Sequence, residues 1–181
     1  MVTTHGHEPG APPIDVACAI AHGDLPVGQH ERRLVLVFDS PVARELGHLA
    51  PRLGWEVVVL DPAVDGSEAG HAAEAKVIGL DANSDVVITD HDRPELGAML
   101  AEILTHRPRW IGVMGSLRHT APHVAALTER GVAAADIARV HRPIGLDIGS
   151  KSPAEIAVAT LAGLLADRNG RSGGLFERHP G

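Results

Sequence analysis

The densest set of ligand-binding residue types in the chain is Met114-Gly115-Ser116-Leu117-Arg118-His119-Thr120. Two small residues leave an apolar run, and a serine, an arginine and a histidine follow just ahead of a helical pattern. Backbone N–H groups, a helix dipole and a guanidinium together favour an anion, a phosphate above all. A tight turn with a solvated arginine has the same composition, so the residues alone leave both readings open. A second segment reads His141-Arg142-Pro143-Ile144-Gly145-Leu146-Asp147-Ile148-Gly149. Its two glycines bracket Leu-Asp-Ile behind a cationic pair, a pattern that suits either a flap over a ligand site or a plain connector.

Other candidates are weaker. Phe38-Asp39-Ser40-Pro41-Val42-Ala43 stands where a dinucleotide fingerprint would be expected, but it has no glycine. Asp39 there sets negative charge beside a phosphate, and Pro41 removes one backbone donor. Ordinary NAD(P) binding is therefore disfavoured, although Asp61 stands where a ribose-binding acid belongs. The bland reading of Asp39 and Ser40 is helix capping. Among the 12 histidines, His119 and His123 are spaced to share a helix face, but no HExxH accompanies them, so solvated surface histidines are expected. Asp90-His91-Asp92 are consecutive and are read as lining a loop rim. No Gly-x-Ser-x-Gly elbow and no paired catalytic carboxylates stand out, which leaves covalent hydrolase chemistry without support.

The elements that position these residues alternate. Leu34–Phe38 is an unbroken apolar run, the mark of a strand buried on both faces. Ser40-Pro41 supplies an N-cap and a first-turn proline, and Val42, Leu46, Leu49 and Leu53 form a helical stripe that stops at Gly54. Glu56–Leu60 reads as a second buried strand, Lys76–Leu80 as a weak one, and Asp85–Thr89 and Trp110–Met114 as clear ones. Leu96–Leu104 carries an amphipathic helix, and another runs from Thr120 as N-cap to Arg130. Ser152-Pro153-Ala154-Glu155 is a capping box that opens a final helix ended by Asn169-Gly170. This order predicts βαβ units and one α/β domain, a doubly wound, mainly parallel sheet over residues 32–170. Residues 1–31 read as an N-terminal arm and 171–181 as a tail. Ligands in such sheets bind beyond the carboxyl ends of the strands.

Composition bounds the partners. The chain has 181 residues, 44% hydrophobic and 22% charged, with a formal net charge of −7. A surface of that sign repels phosphate backbones, and with 2% aromatics there is no stacking platform, so no nucleic-acid partner is expected. The single cysteine, Cys18, excludes an internal disulfide and a cysteine-based zinc cage, and is read as an inert buried thiol. The first residues show no signal-peptide pattern and no segment reads as membrane-spanning, so cytoplasmic residence is expected. Domains of this type often dimerise through apolar edge helices, which makes a homodimer one expected assembly.

Two runs carry a specific resemblance. Trp110-Ile111-Gly112-Val113-Met114-Gly115-Ser116 followed by Arg118-His119-Thr120 resembles the signature loop of the XdhC/CoxI family. His141–Gly149 followed by Pro153-Ala154-Glu155-Ile156-Ala157 is similar to a second family motif, and the likeness runs from about Arg33 to Arg171. The resemblance implies a Rossmann-like domain of a non-catalytic maturation factor, a chaperone for molybdenum hydroxylases such as xanthine dehydrogenase and carbon monoxide dehydrogenase. Such a factor binds the molybdenum cofactor (molybdopterin), protects it during sulfuration, which implies a cysteine desulfurase as partner, and passes it to the apo-enzyme. On this reading Gly115, Ser116, Arg118, His119 and Thr120 hold the cofactor's phosphate. The pterin lies along the strand ends, with Asp61 or Asp147 accepting its ring N–H groups, and Asp39, Ser40 and Gly145 are further cofactor-binding candidates. The alternatives are an oxidoreductase that binds NAD(P), and a scaffold that contacts a dehydrogenase or a desulfurase without a ligand.

Overall fold

The computed structural model describes residues 32–62, 79–115 and 121–174, with His22 apart from these. Short β-branched runs form the strands β1 (Arg32–Val37), β2 (Trp55–Leu60), β3 (Ser84–Ile88), β4 (Trp110–Val113) and β5 (Val140–His141). The helices are α1 (Pro41–Leu49, continued by a 3-10 turn over Ala50–Leu53), α2 (Leu96–Thr105), α3 (Pro122–Glu129), α4 (Ala134–Ile137) and α5 (Pro153–Arg168). All strand pairs are parallel, in the order β2-β1-β3-β4-β5. This is the doubly wound arrangement in which the order of winding across the sheet reverses between β1 and β3.

Side chains alternate across the sheet and build two cores. Val35, Val37, Val86, Ile88, Ile111 and Val113 face α2 and α3 through Leu96, Leu100, Ile103 and Leu127. Leu34, Leu36 and Val87 face α1 and α5 through Ala43, Leu46, Ala157, Leu161 and Leu164. β1 and β3 lie inside the sheet, which explains their continuous burial. β2 lies at the edge and is only partly covered, with Val59 exposed, so the expectation of a second fully buried strand is corrected.

Local signals place the helix ends well. Ser40 Oγ accepts from the Ala43 amide at 3.1 Å and starts α1. α3 begins after Ala121, which offers no side-chain cap; Thr120, the expected cap, lies outside the described residues, as do residues 76–78 of the expected weak strand. Gly79 and Leu80, the end of that segment, sit in a loop.

α5 has the complete capping box. The Ser152 hydroxyl accepts from the Glu155 amide at 3.3 Å, and the Glu155 carboxylate accepts from the amides of Ser152 at 3.1 Å and Lys151 at 2.8 Å. Those amides hold the Glu155 carboxyl below its ordinary range. A lowered folded value means the contribution is present above the ordinary carboxylate pKa and is lost as pH falls through the folded one. Ser152→Ala is expected to cost about 1 kcal/mol. The check is a urea titration, with a lowered midpoint at unchanged slope.

Candidate functional site

The reversal between β1 and β3 is the usual ligand crevice of this topology, and here the residues that leave β1 are tied into the fold. Phe38, directly after β1, is fully buried and has φ of 72°, in the left-handed region that costs a non-glycine residue roughly 1–2 kcal/mol. Its amide donates to Leu60 O at 2.8 Å. Thr89, at the end of β3, donates its amide to Val37 O at 3.0 Å, and its hydroxyl lies 3.1 Å from that carbonyl and 2.8 Å from Phe38 O. Arg93 lays its guanidinium over the Phe38 ring, 4.8 Å from the centroid.

The carboxylates of this corner are committed within the fold. Asp61 is 6% exposed; its Oδ2 accepts from the Asp39 amide at 2.8 Å, and Arg93 reaches its Oδ1 at 3.4 Å. The amide a phosphate would take is thus held by an internal carboxylate. Arg93 also grips Glu95, the stronger influence holding its own guanidinium protonated. The Asp39 carboxylate pairs with Arg44 at 2.8 and 3.0 Å, and this hydrogen-bonded cation keeps it below the usual carboxylate range.

Open space lies one strand further on. A cavity of about 920 Å³ sits over the carboxyl ends of β3 and β4, in the size range of small-molecule sites. Its floor is Thr89, His91, Met114 and Gly115; α1 contributes Val42, and α5 contributes Ile156 and Ala159. The remaining wall is the continuous segment Pro143–Ser150. Most of the lining is apolar, with Thr89, His91, Asp147 and Ser150 as its polar side chains.

That wall is fastened to α5 by a close backbone crossing. The Leu146 amide donates to Ala159 O at 3.0 Å. Gly145 has φ of 82°, and a Cβ there would stand 3.0 Å from the backbone of Ala159 and Thr160. From the helix side, a Cβ on Gly163 would stand 3.0 Å from Gly145 Cα. Two glycines therefore let the segment lie against the helix and define the cavity's width.

The expected site residues separate into three groups. Gly115, Gly145 and Asp147 line the cavity. Asp39, Ser40 and Asp61 are not among its lining residues, and the contacts given above serve the first loop and the start of α1. Ser116, Arg118, His119 and Thr120 lie outside the described residues. His91 reaches the rim as its position suggested.

Two further residues were not assigned to the site, although Arg142 belongs to a segment the sequence had marked. Arg142 lies against Gly115: a Cβ on that residue, whose φ is 151°, would stand 2.6–3.0 Å from the guanidinium. His123 was expected at the surface but is 4% exposed, because α3 turns it inward with Leu127, one turn later on the same face. That apolar i+4 partner was the available signal. Burial, and then the nearby charge of Arg142, push the His123 imidazole below its ordinary pKa.

Among the described residues no group of three or more His, Cys, Asp or Glu converges as a metal site, and no helix is long and apolar enough to cross a membrane. Fold and cavity define a doubly wound, Rossmann-like domain with a ligand-sized hollow beyond two central strands. Residues 34–164 match the model of the XdhC Rossmann domain, and the chain belongs to that family.

The chain is 30% identical over 165 residues to an uncharacterized protein, YqeB, of Escherichia coli strain K12, covering 82% of this chain. It spans 30% of the length of that relative. A crystal structure described as a xanthine dehydrogenase (BH1974) from Bacillus halodurans superposes with a TM-score of 0.61 at 22% identity, over 77% of this chain and 45% of that one. At that identity the likeness is one of fold.

Proposed function

We propose that this domain binds the molybdenum cofactor through its molybdopterin moiety and takes part in sulfuration or delivery of that cofactor to a xanthine dehydrogenase-type apo-enzyme. The carrying observation is the cavity itself, an apolar slot beyond β3 and β4 whose wall is the family-type segment Pro143–Ser150. The residues suit the group. Apolar side chains of Val42, Ile144, Ile148 and Ile156 offer faces to a flat heterocycle, and the Asp147 carboxylate offers an acceptor to its ring N–H groups. The bound cofactor would supply the molybdenum–sulfur chemistry; the chain's own residues bind, orient and shield.

Gly115, Ser116, Arg118, His119 and Thr120 are assigned to the phosphate, on the chemistry of these residue types in a sequence that leads into a helix. Asp39, Ser40 and Asp61 are assigned to closing the first loop, since the Asp39 amide is already held by Asp61. That closure speaks against the NAD(P)-dependent alternative. A molybdenum hydroxylase apo-enzyme and a cysteine desulfurase are the partners this reading names.

Asp147 is exposed, so its substitution tests recognition with little burden on the fold. Asp147→Asn is expected to weaken binding of isolated molybdopterin about tenfold or more, the scale of a lost hydrogen bond to a charged group. Activation of apo-xanthine dehydrogenase should slow in parallel, with thermal stability unchanged. Wild-type affinity in the variant would remove Asp147 from the site.

A further inference from the structure

We propose that His91 is the side-chain hydrogen-bond donor of the cavity, and that it gives its ring N–H to a neutral carbonyl oxygen on a flat heterocyclic ligand. The inference deepens the cofactor reading, on which it rests for the heterocycle, by naming the residue that orients the ring and the group it recognises.

Four polar side chains line the hollow, Thr89, His91, Asp147 and Ser150, and three of them have no hydrogen to give a ligand. The Thr89 hydroxyl carries a single hydrogen, and the carbonyls of Val37 and Phe38 stand 3.1 and 2.8 Å away to take it. The Ser150 hydroxyl donates to Glu155 O at 3.4 Å. The Asp147 carboxylate accepts and does not donate. His91 has no hydrogen-bond partner among the described residues, so its ring N–H is left for a ligand.

The chain holds that ring at the floor. His91 follows Thr89 by two residues as the chain leaves β3, and both reach the same hollow. The Asp90 carboxylate accepts from the Asp92 amide at 3.0 Å, a turn that brackets His91 and fixes its backbone. The His91 side chain is 27% exposed, while that of Asp92 is 88% exposed. Asp92 Oδ1 stands 3.7 Å from His91 Nε2, too far for a hydrogen bond, so it does not consume the donor.

The surroundings select the acceptor. No lysine or arginine is among the described residues that line the cavity, and Asp147 adds negative charge on its wall. A full anion against His91 would sit uncompensated among mostly apolar groups, which is costly. A carbonyl oxygen takes the same hydrogen bond without that cost. The N–H and amino groups of the heterocycle then turn to Thr89, Asp147 and Ser150, which all accept. The ligand that fits carries a carbonyl and N–H groups on one flat ring system, as pterin and guanine do. Reversed, its carbonyl would face only acceptors among these side chains, so His91 sets which way round the ring lies.

The test titrates the full chain with pterin, with 2-aminopteridine, which lacks the carbonyl, and with guanosine, which keeps it on a different ring. The His91 ring signal is assigned in NMR spectra by comparison with His91→Gln. Pterin is expected to shift that signal saturably. His91→Leu should raise the Kd for pterin about tenfold, the scale of a buried acceptor left without its donor, and that for 2-aminopteridine less than about threefold. His91→Gln keeps an N–H donor and should recover part of the pterin affinity. Pterin binding that leaves the wild-type His91 signal unmoved overturns the role of His91 and leaves the cofactor reading standing. That result needs no variant and so does not depend on how substitutions fold. Equal losses for pterin and 2-aminopteridine in His91→Leu would overturn the role as well. A His91 response to guanosine, with no binding of pterin or molybdopterin, would sustain the role and sink the cofactor reading. A chain that binds none of these molecules overturns both.

Discussion

Asp85→Ala is expected to lower the stability of the fold by about 3–5 kcal/mol, the scale for breaking a buried ion pair from one side. Asp85 stands near the start of β3 with no exposure at all. Three donors converge on it: Trp55 Nε1 of β2 at 3.0 Å, Arg109 Nε ahead of β4 at 2.6 Å, and Arg168 Nε at the end of α5 at 2.8 Å. Arg168 also donates to Asn83 O at 2.7 Å, and Arg109 bridges to Asp167. One carboxylate thus ties the edge strand, the central strand and the last helix together at the amino ends of the strands. Its loss leaves two largely covered guanidinium groups without their shared counter-charge. Urea unfolding followed by tryptophan fluorescence checks this, with Arg109→Ala costing less because Asp85 keeps two donors. A loss below about 1 kcal/mol in Asp85→Ala would reduce the cluster to a surface-like ion pair.

Gly145→Ala should act at the opposite end of the sheet and on both stability and binding. An alanine pays roughly 1–2 kcal/mol for the left-handed backbone. Its Cβ also meets main-chain atoms of α5 at 3.0 Å, which have no rotamer by which to yield. Overpacking of that kind typically adds about 1–3 kcal/mol. The wall must move off the helix, so the cavity changes shape and ligand affinity falls well beyond the loss in stability. Leu146→Ala is the informative comparison, because it keeps the backbone path and removes only side-chain packing. Denaturation and ligand titration on the same preparations separate the two effects. Gly145→Ala with wild-type stability and affinity would mean that the crossing has room the geometry denies.

The parts of the fold governed by local periodicity were legible beforehand. Leu34–Phe38, Asp85–Thr89 and Trp110–Met114 anticipate β1, β3 and β4 within two residues at each end, because strands buried on both faces are largely apolar runs. The capping box at Ser152 marks the start of α5 in the same local way. β5 escaped because two residues, Val140 and His141, have no period to read. α4 escaped because its four residues bury none of themselves. β2 was recognised as a strand, but an edge position depends on the order of the sheet and leaves no local trace.

The site divides along the same line. Gly115, Gly145 and Asp147 were marked by composition, and all three meet at the cavity. Asp39 and Asp61 drew attention as strand-end acids, yet their carboxylates answer to Arg44, Arg93 and a neighbouring amide, which no spacing announces. Phe38 turns into the core through a backbone angle that a phenylalanine rarely adopts. Arg142 reaches Gly115 only because β4 and β5 lie side by side in the sheet. Asp85 meets Arg109 and Arg168 by the same kind of long-range closure.

The most direct measurement is an equilibrium titration of the wild-type chain with isolated molybdopterin and, separately, with NADH. Saturable one-to-one binding of the pterin, with no heat or fluorescence change from NADH, is the predicted result. Saturation by NADH while the pterin leaves the protein unchanged would contradict the assignment of the hollow beyond β3 and β4.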